Sequence, residues 1–215
     1  MDPQTLESAV QGVDLIFHTA GLWDGGPDGQ ERMRRLNVDG TDKVLRLGIP
    51  TVYTSSSITC GFGPIDRPGT EDEPSEDPQR PLQGTPRAYR ETKLQAEALV
   101  REARAWMVNP DYVVGPGDVN GVVTQPLLRA SRLPVIPAPR GGKCFVSLKD
   151  VASGHLLVLG KGRPGRRYLL GSENRSYADI LGTLAQLRGR RVAVIGLPRR
   201  AASVLKRLPR VGPTG

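Results

Sequence analysis

Cysteine and histidine are scarce in this chain of 215 residues, with two of each, and aromatic residues make up only 5%. Two cysteines, Cys60 and Cys144, suit a reducing compartment, and with two histidines a Cys/His metal site is not expected. No apolar run approaches the ~20 residues of a membrane span. The opening Met-Asp-Pro-Gln-Thr lacks the basic and apolar regions of a signal peptide. These shortages predict a cytoplasmic protein that uses neither metal nor membrane.

What is present is a hydrophobic content of 38% and a net charge of +8. The length suits one domain, or one domain plus a small cap, with a real core. Six of the 30 basic residues are Lys and the rest are Arg, spread along most of the chain, with one dense region from Arg188 to Arg210. No nucleic-acid motif accompanies them. Solvated helix faces and phosphate-bearing ligands account for the charge better than nucleic acid does.

The chain is organised around Ala88-Tyr89-Arg90-Glu91-Thr92-Lys93, inside a helical-looking run from Pro86 to Ala105. Tyr89 and Lys93 are four apart and share a helix face. A free phenol titrates near 10. An ammonium one turn away favours the phenolate and brings Tyr89 towards acid–base work on a substrate hydroxyl. The plain alternative is a surface helix that happens to carry both residues, so neighbouring stretches must decide.

Asp2 can cap a short helix, Pro3 to Val10, and Val13 to His18 reads as a buried strand running into Thr19-Ala20-Gly21. Small residues at a strand's carboxyl end mark either a ligand crevice or an ordinary turn. Glu31 to Leu47 looks helical, broken near Asp39-Gly40-Thr41. Asn37 within it either caps the next turn or holds a backbone group or water near the site. Pro50 to Thr54 is a second strand, ending in Ser55-Ser56-Ser57, whose hydroxyls could hold a carbonyl oxygen or merely form a turn. Gly61 to Pro86 is a long polar loop beside the substrate. Trp106 to Pro110 reads as a third strand and Asp111 to Asp118 as a tight loop. Phe145 to Leu148 reads as another strand, and Asp150 caps a helix from Val151 to Leu159. Arg167 to Leu170 is a late strand, and Ser176 or Asp179 opens a helix through Leu187.

Seven stretches in order, GVDLIFHTAG, LNVDGT, VYTSSSITCG, YRETK, NPDYVVGPGD, FVSLKDVASGHL and GRRYLLGSEN, resemble the extended short-chain dehydrogenase/reductases. This is the NAD(P)-dependent epimerase/dehydratase group. The similarity covers Val13 to about Leu197 and is strongest to the dihydroflavonol-reductase-like branch, which includes 3β-hydroxysteroid dehydrogenases. The resemblance implies an α/β fold, a Rossmann-like parallel sheet with flanking helices. An NAD(P)-binding domain over 1–118 would carry the catalytic residues. A mainly substrate-binding region over 119–215 would follow, with 145–160 returning to the first core.

It implies, further, that Tyr89 is the catalytic acid/base and that Lys93 lowers its pKa while binding the nicotinamide ribose. Ser56 would hold the substrate oxygen. Ala20, Gly21, Asn37, Pro110 and Val113 would border the cofactor, either NAD or NADP. His18 matches a residue usually buried in the family. The implied reaction is hydride transfer at a CH–OH or C=O carbon of a small molecule, as a reductase or as half of an epimerisation. Homodimers through helices such as that of Tyr89 are implied as well. The family's opening strand, glycine-rich turn and helix do not occur in this sequence, and no Gly-x-x-Gly-x-x-Gly is found. A chain truncated at its N-terminus is therefore expected, lacking the first βαβ unit. The rival expectation is a truncated, inactive remnant that binds no cofactor.

Overall fold

In the computed structural model, residues 3–64, 66–73, 82–118, 121 and 123–197 are described. In chain order the elements are α1 (Pro3–Ala9), β1 (Ile16–His18), α2 (Gly29–Arg34), a π turn (Arg35–Asp39), α3 (Gly40–Leu45) and β2 (Thr51–Thr54). A 3₁₀ turn (Ser57–Thr59), α4 (Gly84–Glu102), β3 (Trp106–Pro110), β4 (Tyr112–Val114), α5 (Thr124–Ala130) and β5 (Val135–Pro139) follow. The chain continues with β6 (Gly142–Ser147), α6 (Leu148–Lys161), β7 (Leu169–Leu170), β8 (Glu173–Ser176), α7 (Tyr177–Leu187) and β9 (Ala193–Leu197). It divides into two compact units, Met1–Asp111 with Val146–Gly171, and Tyr112–Phe145 with Ser172–Gly215.

The first unit holds a parallel sheet of order β1-β2-β3-β7. Side chains alternate across a strand, and the register makes that alternation decisive. Tyr53 lies opposite Met107, and both pack with Ala96 and Val100 of α4. Val52 and Val108 point the other way and pack with Val158 of α6. A helix on each face thus seals strands that read as nearly continuous apolar runs, as buried parallel strands do. Each fully buried Val or Met stabilises by about 1.5–3 kcal/mol.

Two joins that look tight in sequence are made by backbone in the left-handed region. Gly48 takes φ 70° between α3 and β2, and Arg104 takes φ 53° between α4 and β3. At the second join the Ala105 N–H reaches back to the Val100 carbonyl at 3.0 Å. Glycine adopts this conformation without strain, whereas arginine bears the cost of a crowded Cβ.

In the second unit β6 pairs antiparallel with β8, β5 pairs parallel with β9, and the core is Leu127, Ile136, Ala138, Phe145, Leu181 and Ala185. Several elements differ from expectation. The segment 111–118 contains a strand, β4, and α5, β5, β8 and β9 were not anticipated. Ser147, not Asp150, is the N-cap of α6: its Oγ accepts the Asp150 N–H at 3.0 Å while donating to Asp150 Oδ2 at 2.8 Å. The aspartate thus holds the capping hydroxyl in place from the third helical position. Ser176 caps α7 in the same way with Asp179. The loop 61–86, the region 121–142 and the basic run 188–210 lie partly outside the described residues.

Candidate active site

The site forms at the carboxyl ends of β1, β2 and β3, where α4 crosses them. On α4, Tyr89, Lys93 and Glu97 recur every four residues, so one helix face presents all three. On the strands the period of two continues past Tyr53 and Met107, bringing Ser55 and Asn109 to that same face. Ser56 follows and caps the 3₁₀ turn, its Oγ accepting the Ile58 N–H at 3.3 Å. The Ser56 hydroxyl also lies near enough to the Tyr89 phenol to favour its ionised form.

Lys93 is buried, with Nζ donating to the Tyr53 hydroxyl at 3.2 Å and to the Thr54 carbonyl at 3.0 Å. It lies 5.9 Å from the centroid of the Tyr89 ring. Burial pulls its pKa down to about 8, and the charge of Glu97 opposes that fall. Burial also raises the Tyr89 phenol above its ordinary value, and the nearby Ser56 hydroxyl opposes that rise. The expected fall of the Tyr89 pKa is therefore corrected for the protein alone: the phenol is raised, not lowered. Desolvation dominates, and the lysine spends its donors on Tyr53 and Thr54.

Asn37 sits fully buried in the π turn, a helix distortion that often accompanies function. Its Oδ1 accepts the Leu22 N–H at 2.7 Å, and its Nδ2 donates to the Leu22 carbonyl at 2.9 Å and to Thr92 Oγ1 at 3.1 Å. Of the two readings of Asn37, the structure has it holding backbone. It clamps the segment after β1, where Ala20 and Gly21 are exposed. A Cβ on Gly21 would stand 3.3 Å from Lys93 Nζ, a tight approach to which the amine would have to yield by a few tenths of an ångström.

His18 is buried and bonds Thr41 Oγ1 at 2.9 Å through Nε2. Burial first, and the Lys93 charge second, take its pKa to about 4. It is a neutral core residue. Pro110 ends β3 within the first unit, whereas Val113 lies on β4 in the second. Trp23 is 47% exposed, and its ring meets Tyr89 edge-on with centroids 5.0 Å apart. A surface concavity of about 500 Å³ between α2 and α4 borders Ala88 and Thr92 but includes none of Ser56, Tyr89 and Lys93. The chemistry, rather than that hollow, locates the site.

Sequence reasoning missed Tyr53, Glu97, Asn109 and Trp23. The spacing of Glu97, four beyond Lys93, was the readable signal for one of them. The others depend on strand register and a loop.

Residues 1–132 match the family model NAD_binding_4, described as Male sterility protein. The chain belongs to this family. It is a member of the extended short-chain dehydrogenase/reductases, the NAD-dependent epimerase/dehydratase group. It is 32% identical over 199 residues to a putative dihydroflavonol 4-reductase of Synechocystis, covering 86% of this chain and 57% of that protein. Sterol demethylase protein B of Methylococcus capsulatus is 28% identical over 210 residues, covering 93% of this chain and 62% of the relative. The crystal structure of gox2253 superimposes with a TM-score of 0.73 at 28% identity, covering 95% of this chain and 64% of that one. The chain thus spans about three-fifths of its curated relatives.

The family's nicotinamide cofactor can be tested against the residues present. An ammonium has three donors, and Lys93 has two recorded acceptors among the described residues. The third donor, beside the open edge of Gly21, suits a ribose hydroxyl. The residues present fit the nicotinamide-ribose end of such a cofactor.

Proposed function

We propose that this chain forms the catalytic part of an NAD(P)-dependent oxidoreductase that reduces a ketone or aldehyde on a small molecule. The observation that carries it is the convergence of three groups: Ser56 lies beside Tyr89 and favours its ionised form, and Lys93 shares the helix face of Tyr89. When bound, the nicotinamide supplies the hydride. Lys93 and the glycine edge at Ala20–Gly21 hold its ribose, with Asn37 fixing that edge through Leu22. Pro110 is assigned to border the nicotinamide.

Ser56 donates to the substrate carbonyl oxygen and orients it towards the phenol. Tyr89 then gives its proton to that oxygen as the carbon is reduced. Burial keeps the phenol protonated at neutral pH, which suits a proton donor and hence the reductive direction. Lys93, with a pKa of about 8, is still largely cationic at pH 7 and stabilises the phenolate left behind. Trp23 supplies an apolar wall next to the reacting phenol, which favours substrates with a flat aromatic or alicyclic face.

Fluorescence titration with NADH and with NADPH tests the reading. Saturable binding of one of them, followed by pH 7 oxidation of that cofactor with an aryl ketone, is the expected result. No fluorescence change at millimolar cofactor would end it.

A further inference from the structure

The mechanism above uses Ser56, Tyr89 and Lys93 and leaves a buried carboxylate unassigned. Glu97 is fully buried. Its Oε1 accepts from Ser55 Oγ at 2.6 Å, Thr59 Oγ1 at 2.6 Å and Asn109 Nδ2 at 2.8 Å. Its Oε2 accepts from Arg167 Nε at 2.7 Å and Arg101 at 3.2 Å. We propose that Glu97 is a positioning residue of the site, resting on the oxidoreductase reading above: it anchors the Ser55–Thr59 turn so that Ser56 faces Tyr89, and it supplies the countercharge of Lys93.

The anchoring follows from what is left free. Ser55 and Thr59, on either side of Ser56, are tied to one oxygen of Glu97. The Ser56 carbonyl lies 2.8 Å from Thr59 Oγ1, sharing with Glu97 that hydroxyl's one proton, and accepts from Asn109 Nδ2 at 3.3 Å. With its flanks and peptide fixed, the Ser56 hydroxyl is the part of the turn left to face the phenol. Asn109 turns its N–H groups to the carboxylate even though its buried Oδ1 then has no partner among the described residues. Glycine-like freedom in this turn would instead let Ser56 swing, and a displacement of ~1 Å at a reacting group can cost about a hundredfold in rate.

The countercharge follows from what surrounds Lys93. Tyr89 and Glu97 face it from α4, the Tyr53 hydroxyl and Thr54 carbonyl from β2, and His18 from β1. His18 is neutral above about pH 4. Glu97 carries the negative charge of this group, and the charge acts to keep Lys93 protonated against its burial. Arg101 and Arg167 face Glu97 from its outer side and leave the inner oxygen to the serine turn.

Glu97→Gln separates the two duties, because its Oε1 can still accept from Ser55, Thr59 and Asn109 while the charge is gone. Two measurements are made on wild type, Glu97→Gln and Glu97→Asp: kcat and KM against pH for ketone reduction with whichever of NADH and NADPH binds, and the Lys93 titration followed by NMR of ¹³C-lysine. In Glu97→Gln the Lys93 midpoint and the alkaline limb of kcat should both move down by about one pH unit, as loss of a neighbouring opposite charge does. In Glu97→Asp the charge stays but the reach shortens, so kcat should fall about a hundredfold with KM for the cofactor nearly unchanged. An unshifted Lys93 midpoint in Glu97→Gln overturns the countercharge, and wild-type kcat in a folded Glu97→Asp overturns the anchoring. If Glu97→Gln does not fold, kcat in Glu97→Asp decides the anchoring. The Lys93 midpoint in Glu97→Asp, expected to stay near that of wild type because the charge is kept, overturns the countercharge if it falls as far as about one pH unit. If wild type itself shows no turnover, the oxidoreductase reading fails on its own, and the Lys93 titration still tests Glu97.

Discussion

Lys93 and Tyr53 meet across forty positions of sequence, Nζ donating to the phenolic oxygen at 3.2 Å, with the cation 4.9 Å from the ring centroid. The contact arises because β2 points Tyr53 at α4 while α4 points Lys93 back at the sheet. It fixes the amine at the carboxyl end of β2 and explains why the lysine is dry enough for its pKa to fall. The same burial pushes the Tyr53 phenol well above its ordinary range. Tyr53 therefore acts as a neutral acceptor and not as a second acid.

Replacing Tyr53 with Phe keeps the ring and removes that acceptor. A hydrogen bond to a charged donor contributes about 1.5–3 kcal/mol, and Tyr53→Phe should lower stability in urea by that order. The variant should also push the Lys93 pKa below about 8, because the Thr54 carbonyl is then its remaining recorded acceptor. An unchanged urea midpoint would show that the bond contributes nothing.

Tyr89→Phe removes only an oxygen, and Ser56→Ala only a hydroxyl. General acid catalysis typically contributes 10²–10⁴-fold, so Tyr89→Phe should lose at least about a hundredfold in turnover while cofactor affinity holds. Ser56→Ala should lose turnover too and, by removing the hydroxyl that opposes burial, should raise the Tyr89 pKa further. Single-turnover reduction and ultraviolet titration of the phenol read the two effects separately. Wild-type turnover in Tyr89→Phe would remove the phenol from the mechanism.

His18 supplies a pH signature of stability that does not depend on activity. Its pKa is depressed from 6.5 to about 4 on folding, so the unfolded chain binds more protons between those values. Stability is then fully present above pH 6.5 and is lost as pH falls towards 4. The loss amounts to about 3 kcal/mol, from 1.36 kcal/mol per pKa unit. His18→Gln can still pair with Thr41 but cannot titrate. Its urea midpoint should change less than that of wild type over this window, and equal slopes would place the acid sensitivity elsewhere.

How far these features could be read from sequence depended on whether they were local. The strands of Tyr53 and Met107 were legible because both are short apolar runs ending in polar groups. The Tyr89–Lys93 pair was legible because four-residue spacing is intrinsic to a helix. By contrast, β8 is Glu-Asn-Arg-Ser, a strand only through its antiparallel partner, and β5 contains Pro137 and Pro139, which argue against a strand. The π turn at Asn37 shifts the helical period by a residue, which looked like a break. The direction of the Tyr89 pKa was misjudged for a similar reason: spacing reveals the neighbouring charge but not the depth of burial.

Trp23 gives the last prediction. Its indole is 47% exposed and rests edge-on against the Tyr89 ring, at an interplanar angle of 66°. A substrate that presents its carbonyl to Tyr89 has to lay part of its body over that indole. The second tryptophan, Trp106, is half-buried on β3 with Nε1 donating to the Gly162 carbonyl at 3.3 Å, so it serves as a reference. Binding of an aryl ketone should quench the fluorescence of wild type and leave that of Trp23→Ala nearly unchanged. Aromatic pairs contribute about 0.5–1.5 kcal/mol beyond area, so Trp23→Ala should raise KM for aryl ketones several-fold and barely alter it for acetone-sized ones. Equal changes in KM for both substrates would mean that Trp23 supports the loop and does not touch the substrate.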